Sequence, residues 1–383
     1  MVRRYDAWLA NLLIVFFFLA NPVKANDANE TSGVRFLTEL PIPDQVVSAE
    51  QVMSADQSGS ADAHRQRAYQ YARDWLESAA PDATVLAYTS ALTQDYLDNG
   101  FSLIWTQDAA RDELETQVNV ISLAGFSPEF EWRAWQLRQL RQQRSDTAYD
   151  IFATDTAYAL LSYLSVAPDK GMQWFFGASH RAPLPVPSSY SRTALFKAGL
   201  GASFTRFLKK WRPQHPQYDA LVKQIVRLQG QSQSVWPTVQ TDKYIYPDQA
   251  IATTLALNLV DNLRLQGFWR SSERLEAING HTVRYGGDLV NAVEQFQQQH
   301  GLAADGIIGP ATAKWFNLDA PSRIRLLALN AERLRLWPND TPNRIVVNIP
   351  DYRLHLWHED QNVFESKVVV GRQSRRTPLF SSQ

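Results

Sequence analysis

Apolar residues recur at a helical period through much of the chain. From about residue 63 to 212, apolar side chains fall three and four positions apart, which places them on one face of a helix. This pattern predicts a helical region whose aromatic residues pack in its core. Its clearest stripes are Tyr71 with Trp75 and Leu76, Trp132 with Trp135, and Tyr158 with Leu161, Tyr163 and Leu164. The segment from Trp174 to Pro187 has no clear period and is predicted to be a loop.

Shorter helical segments follow, and strand spacing replaces them near the end of the sequence. The predicted helices lie at about Tyr218–Leu228, Pro247–Gln266, 288–299, 310–316 and Ser322–Leu336. The last helix carries its apolar residues on one face and arginines elsewhere; the apolar residues are Ile324, Leu327, Ala331 and Leu334. Alternation predicts strands around Ile345, Val347 and Ile349, around Tyr352, Leu354 and Leu356, and around Val368 and Val370. The predicted fold is mainly α, with a small three-helix module and an incomplete β-rich region at the end.

The first 25 residues have the pattern of a secretory signal peptide. Arg3 and Arg4 precede an apolar run from Leu9 to Ala20, and Val23-Lys24-Ala25 resembles a cleavage site. The run is shorter than the ~20 residues that span a bilayer, although an uncleaved membrane anchor is an open alternative. Residues 26–62 are rich in Ser, Gln, Ala and acidic residues and are predicted to be a flexible spacer. We therefore expect the rest of the chain outside the cytoplasm.

Composition narrows the possible functions. Hydrophobic residues make up 45% and charged residues 20% of the 383 residues, which is typical of a globular protein. The net charge of −1 gives no basic field that would attract nucleic acid. The chain has no cysteine, which excludes disulfides, Cys-ligated zinc, iron–sulfur clusters and a cysteine nucleophile within these residues. No cofactor is expected.

The most specific stretch runs from Asp288 to Asn317. Leu289, Val293 and Phe296 share one helical face, and Gly301 can end that helix in a left-handed conformation. Further signals complete a helix–turn–helix pair: the turn at Asp305-Gly306, the first-turn proline Pro310 and a closing Asn317. The apolar residues are expected to build a small core.

This stretch resembles the peptidoglycan-binding domain of bacterial wall enzymes. The residues that match are Ala292-Val293, Phe296-Gln297, Gly301-Leu302, Asp305-Gly306, Gly309, Thr312 and Asn317. Phe316 stands where that domain usually has leucine, and the segment with Leu257, Val260, Leu263 and Gly267 fits the domain's first part. Nearly all of these residues are expected to build the fold rather than to touch a glycan.

The neighbouring segments resemble large periplasmic L,D-transpeptidases. The stretches 93–107, 149–165 and 212–225 look like their scaffold domain, and Asn330-Ala331-Glu332-Arg333 matches a helix of that family. Residues 344–357 and 367–380 look like the opening strands of its catalytic domain, of the YkuD type, through Val347-Asn348-Ile349-Pro350, Val370-Gly371 and Thr377-Pro378.

The resemblance implies a defined chemistry. In that family a cysteine thiolate attacks the bond between diaminopimelate and D-Ala of a donor stem, and an amine of a second stem then takes the acyl group to give a 3→3 crosslink. The family places the cysteine in a Ser-His-Gly-Cys block beyond the last stretch matched here. Because this chain has no cysteine, no catalytic residue is transferred to it.

These patterns and resemblances divide the chain into six expected segments. They are a signal peptide at 1–25, a spacer at 26–62, a helical scaffold domain at 63–246, a peptidoglycan-binding-like module at 247–320, a connecting helix at 321–342, and the truncated start of a catalytic domain at 343–383. Truncation is favoured over a degenerate family member because the remaining strand patterns are intact. Either way, the chain as given is expected to be inactive.

Two functions remain open. The chain is expected to be the N-terminal part of an L,D-transpeptidase, or else a non-catalytic peptidoglycan-binding or scaffold protein. Peptidoglycan is the expected partner in both, with other wall-synthesis proteins as further candidates, and a membrane only through an uncleaved signal segment. A wall amidase or glycosidase fits less well because zinc-ligand spacing and a convincing carboxylate pair are missing.

Other candidate site residues favour structural roles. Glu129 and Glu131 resemble a carboxylate pair, but a helix-capping or solvated role is expected next to Pro128. His355 and His358 lie three apart and would point to opposite faces of a strand, so no shared metal site is expected. Ser191-Arg192 and the cluster Arg372, Arg375 and Arg376 are predicted to be solvated loops, with contact to anionic wall polymers as the alternative for the cluster.

Overall fold

A computed structural model describes most of the chain after residue 60. The described residues are 14–17, 61–80, 86–177, 180–231, 236–241, 243–270, 272–337, 342–348, 352–369 and 371. The predicted signal peptide lies outside them except for the strand Ile14–Phe17, and the predicted spacer lies outside them except for the start of the first helix.

Helices dominate the described residues, as the sequence predicts. They are α1 Ala61–Ala79, α2 Thr89–Asp98, α3 Asp108–Ala124, α4 Pro128–Gln143, α5 Asp146–Phe176, α6 Ser189–Gly199, α7 Phe204–Lys209, α8 Tyr218–Gly230, α9 Thr253–Gln266, α10 Gly287–Gln299, α11 Pro310–Phe316 and α12 Ala320–Arg333, with a 3₁₀ turn at Leu334–Leu336. Among these residues no helix combines the length and the apolar character that crossing a bilayer requires.

Two small sheets complete the secondary structure. Their strands are β1 Ile14–Phe17, β2 Ala250–Ala252, β3 Glu276–Ala277, β4 Thr282–Arg284, β5 Arg344–Asn348, β6 Arg353–His358 and β7 Gln361–Lys367. One sheet has the order β1-β5-β6-β7, in which β1 is parallel to β5 and the other pairs are antiparallel. The other has the antiparallel order β2-β4-β3.

The chain divides into two compact units. One comprises Met1–Asn21, Val222–Leu327 and Pro338–Gln383, and the other Pro22–Leu221 and Ala328–Trp337. The second unit contains α1 to α7. The first contains α9 to α11 and both sheets.

The helical unit is built around buried polar groups as well as aromatic rings. Asp150 on α5 is 1% exposed, and its carboxylate accepts hydrogen bonds from the Tyr96 hydroxyl and the Trp105 amide, both at 2.6 Å. Thr154, one turn further along, accepts from the Trp105 indole N–H at 3.1 Å. Burial raises the pKa of Asp150 to about 6, although these donors oppose the shift.

A buried ion pair links α4 to α5. The guanidinium of Arg133 lies 2.7 Å from Asp155 and 3.0 Å from Glu129, and both Arg133 and Asp155 are at most 1% exposed. Asp155 also accepts from the Tyr88 amide at 2.9 Å. Because each charged group is hydrogen-bonded, the cost of removing it from water is largely offset.

The segment with the Asn-Ala-Glu-Arg motif belongs to the same unit and explains that motif. Glu332 is fully buried and accepts from the Tyr163 hydroxyl at 2.5 Å and from Arg335 at 2.6 Å. Arg333 donates to the carbonyl of Phe175 at the end of α5. The motif therefore fixes this segment to α5 within the unit.

Several sequence predictions about the helices are wrong. The predicted loop from Trp174 begins too early, because α5 continues to Phe176 and buries Trp174 near the parallel ring of Tyr163, 5.8 Å away. Trp135 is 49% exposed rather than in the core, whereas Trp132 contacts Phe152.

One helix start and the placement of two arginines also differ. The helix predicted from Pro247 begins only at Thr253, because Ala250–Ala252 pairs with β4. Arginines on the helix predicted at Ser322–Leu336 were expected away from its apolar face. Arg323 and Arg333 are nevertheless buried, because backbone carbonyls accept from their guanidinium groups.

The strands near the end of the chain differ from the prediction in which face of β5 is buried and in the position of the third strand. Val346 is buried, and Ile345 and Val347 are only partly buried, so the inward face of β5 is opposite to the predicted one. The third strand is Gln361–Lys367 rather than a strand around Val368 and Val370. The predictions at Ile349 and Val370 lie outside the described residues.

The Arg133–Asp155 pair yields a stability test. We expect Arg133→Met to lower the free energy of unfolding by about 3–5 kcal/mol, because it leaves the Asp155 charge buried without its partner. The exposed Arg138 on the same helix is the matched control, and Arg138→Met should change stability by about 0.5 kcal/mol or less. Urea unfolding monitored by tryptophan fluorescence measures both; equal effects would contradict this role for Arg133.

Candidate functional site

The helix pair predicted at 288–317 is present and packs as expected. Leu289, Val293 and Phe296 on α10 are at most 1% exposed. The ring of Phe296 stacks on that of Phe316 with centroids 4.1 Å apart, so the aromatic substitute for leucine fills the core between α10 and α11. The prediction that these residues build the core is confirmed.

Gln297 organises the turn between the two helices. Its amide nitrogen donates to the Ile307 carbonyl at 2.9 Å and to the Thr312 hydroxyl at 3.2 Å. Its amide oxygen accepts from the Gly306 N–H at 2.9 Å. Gln297 is 1% exposed, so its side chain is committed to the fold and not to a ligand.

The predicted turn and cap residues also serve the fold. Gly301 has a φ of +68°, the left-handed conformation predicted for it, and Gly306 in the predicted turn has a φ of +70°. Pro310 begins α11, and Asn317 caps it. The side chain of Asn317 exchanges two hydrogen bonds with the backbone of Val239, at 2.8 and 2.9 Å.

A histidine lies beside this core. His300 contacts the rings of Phe296 and Trp315, with centroids 4.2 and 4.8 Å away, and its Nδ1 lies 2.7 Å from the Phe296 carbonyl. The guanidinium of Arg323 lies 3.3 Å from its Nε2. Burial lowers the pKa of His300 to about 4, and the nearby positive charge of Arg323 adds to the shift. His300 is therefore neutral at physiological pH.

Exposed aromatic side chains lie just before the predicted start of the module at residue 247, on a segment whose Ile245 packs in the same core as α10 and α11. Tyr244 and Tyr246 are 56% and 46% exposed, and their ring centroids are 6.3 Å apart. Ile245 between them is buried and exchanges backbone hydrogen bonds with Ile308, at 3.2 and 3.0 Å. Sequence reasoning missed this pair; the alternation of Tyr-Ile-Tyr before Pro247 is the signal that could have found it.

The other candidate residues do not come together into a site. Glu129 and Glu131 lie in the first turn of α4: Glu131 is exposed, as the solvated role predicts, whereas Glu129 pairs with the buried Arg133 and is neither a cap nor fully solvated. His355 faces Glu365 on β7, whereas Nδ1 of His358 lies 2.6 Å from the Asn343 side chain. Within the described ranges no group of three His, Asp or Glu side chains is arranged to hold a metal ion.

The prediction of a solvated loop at Ser191-Arg192 is wrong. Both residues lie on α6, and Arg192 pairs with Asp95 at 2.6 Å. Asp95 also accepts from the Tyr158 hydroxyl, so the arginine completes a hydrogen-bonded cluster between α2, α5 and α6. The cluster Arg372, Arg375 and Arg376 lies outside the described residues.

The Gln297 hydrogen bonds lead to a second stability test. Gln297→Leu should destabilise the helix pair by about 2–3 kcal/mol, because the buried Gly306 N–H loses its partner and the Ile307 carbonyl keeps only the longer hydrogen bond from the Thr312 hydroxyl. Gln298 is exposed on the same helix, and Gln298→Leu should be nearly neutral. Hydrogen exchange of the amides in α10 and α11 measures the local effect. Similar protection in the two variants would show that Gln297 is not the organiser of the turn.

The His300 pKa predicts a pH effect on stability. Its folded value of about 4 lies below the unfolded value of ~6.5, so its contribution is complete above pH 6.5 and is lost as the pH falls toward 4. From pH 7 to pH 5 the loss should be on the order of 2 kcal/mol. Urea unfolding at both pH values should show a smaller loss for His300→Gln, while the exposed-site variant His281→Gln keeps the full loss. An unchanged pH dependence in His300→Gln would contradict the assignment.

Comparison with known proteins agrees with this architecture. Residues 90–225 match the family described as "Scaffold domain", and residues 273–316 match the "Putative peptidoglycan binding domain". A 57-residue segment is 49% identical to the "Putative L,D-transpeptidase" of Haemophilus influenzae. The matched segment makes up 15% of this chain and 12% of that protein. The chain thus matches only a small part of that relative's length. The chain therefore carries a region similar to the scaffold domain and a region similar to the peptidoglycan-binding domain, and a short segment of it is similar to a protein named as a putative L,D-transpeptidase.

Proposed function

We propose that this chain binds peptidoglycan outside the cytoplasm and provides the scaffold and wall-binding parts of an L,D-transpeptidase. The observation that carries the proposal is the order of its modules. A helical scaffold precedes a compact helix pair of the peptidoglycan-binding type, and the pair folds with the residues that the motif specifies.

The crosslinking chemistry sets a limit on this function. Formation of a 3→3 crosslink through a thioester requires a thiolate that attacks the donor stem and releases D-Ala. The 383 residues contain no cysteine. We therefore propose that these residues bind and position the wall substrate but do not carry out acyl transfer by themselves.

The buried polar clusters of the scaffold are consistent with a positioning role. Asp150, Asp155 and Glu332 are all buried and hydrogen-bonded to groups of their own unit. A carboxylate that serves as a general acid or base must reach its substrate, and these do not reach a surface. A non-catalytic wall-binding protein is the second candidate, and it shares the binding step with the first.

The binding step is tested with purified chain and isolated sacculi. We expect the chain to sediment with sacculi, and we expect no release of D-Ala from tetrapeptide muropeptides when products are analysed by mass spectrometry. A soluble protein of similar size and pI is the control for non-specific sedimentation. Absence of binding would refute the wall-binding function. Release of D-Ala by this chain would refute the proposal that these residues do not carry out acyl transfer by themselves.

A further inference from the structure

The two exposed tyrosines next to the wall-binding module form a defined face. Their rings are inclined by 32° to each other with centroids 6.3 Å apart. The backbone bridge between Ile245 and Ile308 fixes the segment that carries them, and Ile245 points into the module core. Successive side chains of an extended segment point to opposite sides, so Tyr244 and Tyr246 share the outer side.

The face is held in place by a motif residue whose role is otherwise unexplained. Gly309 has an ordinary extended φ of −101°, so its backbone conformation does not require glycine. A Cβ at this position would lie 2.5 Å from Cε1 of Tyr244, which is closer than atoms can approach. Glycine at 309 therefore allows the Tyr244 ring to lie directly against the backbone at the start of α11.

A second contact fixes the backbone at Tyr246. The Gln249 side chain accepts a hydrogen bond from the Tyr246 N–H at 3.1 Å, and Pro247 follows and restricts the backbone. Both rings are consequently attached to a fixed segment and exposed at the same time. A ligand that stacks on them loses less entropy than one that must order a loop.

We propose that the Tyr244–Tyr246 face binds the sugar rings of the glycan strand. This inference rests on the proposed wall-binding function and assigns its contact surface. The faces of aromatic rings carry partial negative charge and attract the C–H groups on the flat side of a pyranose. Two neighbouring rings can contact successive sugars of one strand, whereas two side chains are far too small a surface for a stable protein interface.

The test uses the full chain and two wall preparations. One is intact sacculi, and the other is soluble glycan strands from which an amidase has removed the stem peptides. Tyr244→Ala and Tyr246→Ala should each weaken binding to both preparations by roughly two- to tenfold, and the double variant by more. Tyr244→Phe and Tyr246→Phe keep the rings and should bind nearly as the unaltered chain does, at low and at high salt.

Tyr190→Ala is the matched control. Tyr190 is 84% exposed in the helical unit, and its removal should not change binding. Circular dichroism and thermal unfolding of each variant separate a binding defect from a folding defect.

The outcomes distinguish this inference from the function on which it rests. If the unaltered chain binds neither preparation, the wall-binding function itself is wrong. If it binds sacculi but not peptide-free strands, the module recognises stem peptides and the glycan assignment is wrong. Equal binding by the double variant and the unaltered chain, or binding that high salt abolishes, would also overturn the role of the tyrosine face.

Discussion

Hydrogen bonding of the buried polar residues of the motif governs the wall-binding module. A buried amide or hydroxyl without a partner costs about 1–3 kcal/mol, so the interior polar side chains must be used within the fold. Gln297 satisfies both sides of the turn that joins α10 to α11, and Asn317 ties the end of α11 to Val239. The side chains of these motif residues are thereby engaged in hydrogen bonds within the fold. Contact with a ligand must therefore come from residues outside the motif.

The same constraint shapes the scaffold, with charged groups in place of amides. Arg133 and Asp155 are buried together, and Glu332 is buried with Arg335 and the Tyr163 hydroxyl. Removing such groups from water is costly, and only complete pairing makes the arrangement stable. The result is a helical unit whose polar interior specifies how its helices pack.

The sequence predicts those parts of the fold that depend on local spacing. The helix pair at 288–317 is predicted correctly because glycine, proline and apolar positions agree with one another. The Trp174 region fails because contacts from distant parts of the sequence hold the end of α5: Phe126 stacks on Trp174, and Arg333 donates to the Phe175 carbonyl. The last hairpin fails because Glu359 and Asp360 form its turn with positive φ, although glutamate rarely adopts that conformation and no glycine marks the turn. The tyrosine face was not predicted because the position of the Tyr244 ring depends on its contact with Gly309, 65 residues further along the chain.

The account separates the residues that build the module from those that bind the wall. Hydrogen–deuterium exchange of the full chain, with and without saturating soluble glycan strands, tests that separation most directly. The account predicts slower exchange in the peptide that covers residues 243–249 and little change along the core helix α10. Protection confined to α10, with exchange at 243–249 unchanged, would contradict it.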